Sequence, residues 1–145
     1  MKIVAQRVLR ATLSVNDVPV SEIGYGLVVY FGVKVGDTFE QVAKCAEKIA
    51  HLRVFEDEEG KMNRSVLDVG GEILLVSQFT LYGDVRKGNR PSFTEAERPE
   101  RANPLYEHAL QCLAQLGVSV KKGVFGADMR IEQTNDGPVT IIYEI

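Results

Sequence analysis

Cysteine and histidine each occur only twice in the 145 residues. Cys45 and Cys112 are too few for the disulfide framework of a small secreted domain. Both fall at mostly apolar positions of helix-like segments, where a free thiol packs as a small hydrophobe. His51 and His108 stand near no plausible nucleophile in the local sequence, and both read as surface residues. A serine- or cysteine-based hydrolase would therefore lack its usual base. No Ser occupies a G-x-S-x-G elbow, no Cys/His set has zinc spacing, and no Gly-rich loop runs from strand into helix as in a P-loop. No metal or cofactor is expected.

Long apolar runs are missing too. None approaches the ~20 residues of a membrane helix, and Lys2 and Arg7 interrupt residues 1–7 too early for a signal-peptide core. A soluble, cytoplasmic protein with no membrane partner is expected. The chain lacks an overall basic footprint, since its net charge is −3. The charge is uneven, however. Residues 56–59 are all acidic, whereas Arg86, Lys87 and Arg90 cluster without an acid among them, and Lys121 and Lys122 add a second basic spot. Such patches can hold a few phosphates on an acidic protein; a solvated loop fits them equally. There is no repeat, low-complexity tract or linker, so residues 1–145 read as one domain.

What is present is a strand-rich pattern. Residues 2–15 read as a long strand, Asn16-Asp17 as its turn and residues 18–20 as the hairpin's return. Residues 26–33 are apolar throughout, which suits a strand covered on both faces. Asp37 offers an N-cap with Glu40 three residues on, opening a helix whose stripe holds Phe39, Val42, Ala43, Ala46, Ile49 and Ala50. A short strand at 53–55, a turn at 58–60 and a very apolar strand over 72–82 follow. Residues 83–101 form a long irregular stretch. Asn103 and Pro104 then look like N-cap and first residue of a second helix, with Leu105, Ala109, Leu110, Leu113 and Leu116 inside and Gly117 as its stop. Strands at 118–124, 129–134 and 139–145 close the chain. The class is α+β, mostly antiparallel, with sheets forming a barrel-like or sandwich core and two main helices. So apolar a final strand needs a cover, and a partner subunit is one.

Two polar segments stand out. Ser77, Gln78 and Thr80 sit at the end of the most buried strand, where alternation would send Ser77 and Phe79 to one face and Gln78 and Thr80 to the other. Polar groups there must find partners or water, and fraying of the strand would satisfy them as well as a site would. Asn135-Asp136-Gly137-Pro138 has the composition of a plain turn between the last two strands.

Together with these, residues 76–82, Lys87-Gly88-Asn89-Arg90-Pro91-Ser92-Phe93, Phe125-Gly126-Ala127-Asp128-Met129 and Asn135-Asp136-Gly137-Pro138-Val139-Thr140 resemble the D-aminoacyl-tRNA deacylase family. Gln6-Arg7-Val8 and Gly60-Lys61-Met62-Asn63 fit as well, and the likeness spans the chain in order. The resemblance implies a homodimer with active sites at the subunit interface. Its substrate would be the aminoacyl ester at the 3′ end of tRNA. Ser77, Gln78, Phe79 and Thr80 would line the pocket of one subunit. Gly137 and Pro138 of the other would enter it with their peptide bond cis. Phe125, Met129 and Ala102 match positions around the terminal adenosine, and Arg7 one that steadies the Gly-Pro loop.

Backbone oxygens held beside the substrate α-carbon would clash with an L side chain and admit a D one. Glycine has no side chain to reject, so glycyl-tRNA is expected as a second substrate. For the chemistry two routes stand open. Thr80 could attack, although no base is visible beside it. Alternatively the ribose 2′-OH activates a water while N–H groups near Phe79 and Thr80 hold the oxyanion. The histidine shortage favours the second. An editing module that removes an L-amino acid, like one appended to some archaeal threonyl-tRNA synthetases, and a non-catalytic binder of RNA ends are the rival readings.

Overall fold

The computed structural model describes all 145 residues. Its spine is β1 (Lys2–Val15), which turns at Asn16 and Asp17, both at positive φ, into β2 (Val18–Ile23) and then β3 (Gly26–Gly32). β3 pairs antiparallel with the first half of β1, and β2 with the second half. Helix α1 (Phe39–Ala50) leads, through the small hairpin β4 (Phe55–Glu56) and β5 (Met62–Arg64), to β6 (Glu72–Ser77). Helix α2 (Pro99–Gln115) leads to β7 (Ser119–Lys122), and β8 (Arg130–Glu144) returns along the free edge of β1.

The sheet is mixed: β3–β6 and β6–β7 pair in parallel. Parallel neighbours need a long crossover, and α1 and α2 lie in those two connections. The Ser21 hydroxyl donates to the Lys122 carbonyl at 2.6 Å, tying β2 to β7. The result is a nearly closed barrel with two helices outside. Alternation along β3 and β6 explains their unbroken apolar runs. Leu27, Val29, Phe31, Ile73 and Leu75 pack toward the helices, while Val28, Leu74 and Val76 join Val8, Ala11, Leu13 and Ile23 in a second core. No helix is long and apolar enough to cross a membrane.

Local expectations fail in instructive places. The α1 N-cap is Thr38, which forms a capping box with Gln41. Asp37 is unavailable because its carboxylate turns inward, accepting from Lys34 N–H at 2.7 Å and from the Met1 amino group at 3.0 Å. Phe39 is exposed, and Cys45 joins the buried stripe of Val42, Ala46, Ile49 and Ala50. Helix α2 begins at Pro99, and Pro104 lies inside it. Pro104 removes one N–H from the ladder, and it is tolerated because Asn103 and Pro104 face solvent on an early turn. Leu116, at the helix end, is also exposed, while Gly117 (φ +88°) does stop the helix.

The strand expected over 72–82 ends at Ser77, and Phe79–Tyr82 form a 3₁₀ turn. At the other polar segment there is no turn between two strands. β8 runs through it, and in its pairing with β1, Val8 faces Asn135 while Gln6 faces Thr140. Asp136, Gly137, Pro138 and Val139 thus stand opposite Arg7 alone, as a wide bulge. Proline without an N–H cannot continue a ladder, so the extra residues loop outward.

Candidate active site

The break at Ser77 creates the site. Gln78 N–H still donates to the Phe31 carbonyl at 2.9 Å, but its backbone (φ −144°, ψ 84°) then turns the chain into the 3₁₀ segment. A carbon at Gly32 Cβ would come within 3.0 Å of the Gln78 carbonyl oxygen, so the turn sits tightly on β3. At the start of such a turn the first N–H groups have no partner inside it. Here those are the N–H groups of Phe79 and Thr80. The Gln78 side-chain amide donates to the Thr80 hydroxyl.

Beside this turn lies a cavity of about 640 Å³, within the usual size of a small-molecule site. Ser77, Gln78 and Phe79 form one wall, Ala102 of α2 another, and Phe125 with Met129 a third. Six of the ten residues expected at the site therefore meet around one space, and Thr80 adjoins it through Gln78. Tyr106 supports two walls at once. Its hydroxyl donates to the Leu75 carbonyl at 2.8 Å, and its ring lies 6.0 Å from that of Phe125. Burial pushes its phenol pKa up.

A family model described as D-Tyr-tRNA(Tyr) deacylase matches residues 4–144. The chain belongs to that family. It is 58% identical over 144 residues to the D-aminoacyl-tRNA deacylase of Geobacillus sp. (strain WCH70), covering 99% of this chain and 95% of that one. The D-aminoacyl-tRNA deacylase of Carboxydothermus hydrogenoformans is 54% identical with both chains fully covered. Among solved structures, c-Myc DNA Unwinding Element Binding Protein superposes with a TM-score of 0.94 at 44% identity, covering 100% of this chain and 99% of its own. A probable eukaryotic D-amino acid tRNA deacylase shares the fold, with a TM-score of 0.88 at 20% identity and coverage of 99% and 98%.

Besides Thr80, three expected site residues of this deacylase-family chain lie outside the cavity wall: Arg7, Gly137 and Pro138. They meet at the β8 bulge instead. The Gly137-Pro138 peptide bond is cis, Gly137 has φ +122°, and both residues are exposed. Arg7 is 4% exposed and serves three acceptors with three nitrogens. One donates to the Val54 carbonyl at 2.7 Å, Nε lies 2.9 Å from Asp136, and the third nitrogen lies 3.7 Å from Glu56. The Nε contact is an ion pair rather than an aligned hydrogen bond, because that N–H finds no acceptor in line. The guanidinium thus joins the bulge to the β4 hairpin.

Other cavity residues escaped sequence reasoning. Phe93, Glu97, Arg98 and Asp128 also line it. Phe93 carried a signal, since it ends the Lys87–Phe93 motif, but nothing local indicated where a long irregular stretch would fold. That stretch is a strap. Asp84 and Ser92 exchange two backbone hydrogen bonds, and Val35 and Glu97 N–H groups bond Glu95 and Val33 carbonyls across its far end. The histidines lie elsewhere: His51 caps α1, and His108 packs between Phe39 and Cys112. Burial pushes the Cys45 thiol up to about 12 and raises Cys112 too, so neither is an activated nucleophile.

Charge on the strap is partly spent. Arg86 donates to both carboxylate oxygens of Asp84, at 2.9 and 2.8 Å, and holds that carboxyl down at about 2. Lys122 pairs with Glu107 at 3.0 Å. Lys87 and Arg90 form no ion pair within the chain, in contrast with Arg86.

Proposed function

We propose that this chain is a D-aminoacyl-tRNA deacylase that hydrolyses the ester between a D-amino acid and the 3′-terminal ribose of tRNA, as a homodimer, and that it also cleaves glycyl-tRNA. The single observation that carries the reading is the convergence of Ser77, Gln78, Phe79, Ala102, Phe125 and Met129 on one cavity, within a fold whose relatives carry that name. In this reading the cavity takes the aminoacyl-adenosine end. The free N–H groups of Phe79 and Thr80 receive the oxyanion, and Gln78 keeps the Thr80 side chain in place.

Selection against L-amino acids comes from the backbone of Gly137 and Pro138 of a second copy. Two features support action between copies. Gly137 and Pro138 are exposed and stand outside the cavity of their own chain. The outer edge of β8 has no strand partner, and Ile142 on it is 69% exposed, although Ile141 and Tyr143 already pack on the core. Rejection by clash needs little attraction for the accepted side chain. D-tyrosyl-, glycyl- and L-tyrosyl-tRNA should therefore be cleaved quickly, quickly and at least ~100-fold more slowly, respectively. Release of amino acid from each purified substrate measures this. An intact glycyl-tRNA beside rapid D-tyrosyl-tRNA cleavage sinks the steric filter, and rapid L-tyrosyl release points to an L-editing module.

Phosphates near the acceptor end meet the strap. Because Arg86 is neutralised by Asp84, the K87A/R90A variant should reduce the slope of log KM against log salt by about 1–2, and R86A by much less. Unchanged slopes for K87A/R90A return these residues to the solvent.

A further inference from the structure

Phe79 is 56% exposed, although its backbone N–H is one of the two oxyanion donors in the reading above. The turn that carries it is only four residues long, Phe79–Tyr82. Its hydrogen bonds are few: Leu81 N–H reaches the Gln78 carbonyl at 3.4 Å, and Gly83 N–H reaches that of Thr80 at 2.9 Å. Short 3₁₀ turns have poor internal geometry, so something outside must hold this one.

β3 backs the turn at Gly32, and the contact on its cavity side is Phe93. Its ring meets the Phe79 ring edge-on, with centroids 5.1 Å apart at 69°, the geometry aromatic pairs prefer. The same ring touches the other end of the turn, since a carbon at Gly83 Cβ would lie 3.1 Å from Phe93 Cε1. Phe93 thus spans the turn from its first residue to the residue after its last. Its own backbone is anchored, because neighbouring Ser92 is locked to Asp84 by two bonds of 2.8 and 2.9 Å and the Phe93 carbonyl accepts from Ala96 N–H at 3.1 Å.

We propose that Phe93 is a positioning residue, acting through the Phe79 ring to hold the Phe79 and Thr80 N–H groups on the developing oxyanion. The proposal rests on the deacylase reading and on these two groups as oxyanion donors. Misplacing such donors by about 1 Å costs on the order of 100-fold in rate, so loosening the clamp is expected to show in kcat rather than in substrate binding.

The test measures kcat and KM of the full-length protein with D-tyrosyl-tRNA, together with the amide resonances of Phe79 and Thr80. Phe93→Ala should lower kcat at least about 10-fold, leave KM within about twofold and shift both amides. Phe93→Tyr, which keeps the ring, should retain kcat. Phe93→Leu fills most of the space without a ring edge and serves if the alanine variant does not fold; it should fall between the two. A rise in KM at unchanged kcat overturns the proposal by making Phe93 a binding wall. Unchanged kcat with unmoved amides overturns it as well. Amides that shift while kcat stays constant leave the clamp intact and overturn the oxyanion assignment on which the proposal rests.

Discussion

Removing the 2′-hydroxyl from the terminal ribose of D-tyrosyl-tRNA should slow single-turnover cleavage on the order of 10³-fold, whereas Thr80→Ala should slow it less than about fivefold. The expectation follows from what surrounds Thr80. A hydroxyl nucleophile needs a base within hydrogen-bond reach. The side-chain partner of Thr80 is the Gln78 amide, which donates to it and cannot take its proton. Neither histidine lines the cavity, and of its two carboxylates Glu97 is held by Arg98 N–H at 2.9 Å while neither bonds Thr80 or Ser77. In the proposed reading, proton transfer therefore falls to the substrate, whose 2′-OH is vicinal to the ester and would activate the attacking water. A collapse of cleavage in Thr80→Ala, with the 2′-deoxy substrate still turned over, would instead make Thr80 the nucleophile.

The second large effect concerns Arg7. Arg7→Ala should lower stability by about 2 kcal/mol and reduce the D/L cleavage ratio at least about tenfold. Removing one partner of a buried ion pair costs roughly 3–5 kcal/mol when both charges are dry. Asp136 is 30% exposed and Glu56 58%, so water replaces part of what is lost. The functional loss has a separate cause. Four residues of β8 bulge opposite Arg7, and its guanidinium is what ties them to Val54 and Glu56. Arg7→Lys keeps the charge without the planar fork that serves three acceptors and should behave closer to Arg7→Ala than to the parent. Stability follows from chemical denaturation and the ratio from parallel D- and L-tyrosyl-tRNA assays. An unchanged ratio beside the stability loss removes Arg7 from chiral selection.

Much of the fold was legible wherever side chains report on their own surroundings. The alternation in β1, the continuous apolar run of β3 and the 3.6-residue stripe of α1 each reflect burial, and burial is written locally. The failures fall at the ends of elements. Asp37 looked like an N-cap but is drawn inward by Lys34 and Met1. Asn103-Pro104 looked like a helix start, but the chain reaches helical geometry already at Pro99. The apolar tract through Tyr82 read as strand, yet β6 pairs with β7 only to Leu75 and with β3 only to Ser77, and beyond it β3 has ended and the chain must turn. At Asp37 and in the tract through Tyr82, segments elsewhere in the chain outcompeted a local preference worth about 1 kcal/mol or less.

The sequence by itself determined the composition of the core, the two helices, the scarcity of histidine and, through motifs in order, the likeness to a deacylase family. Only the tertiary structure decided how the motifs meet. It closed residues 77–79, 102, 125 and 129 around one cavity, brought Phe93 onto Phe79, and set Gly137 and Pro138 outside that cavity on a bulge held by Arg7. The physical reason is that patterning encodes which side chains leave water, whereas a cavity and a bulge depend on where strands stop pairing. That is settled between segments more than a hundred residues apart, as between Arg7 and Asp136.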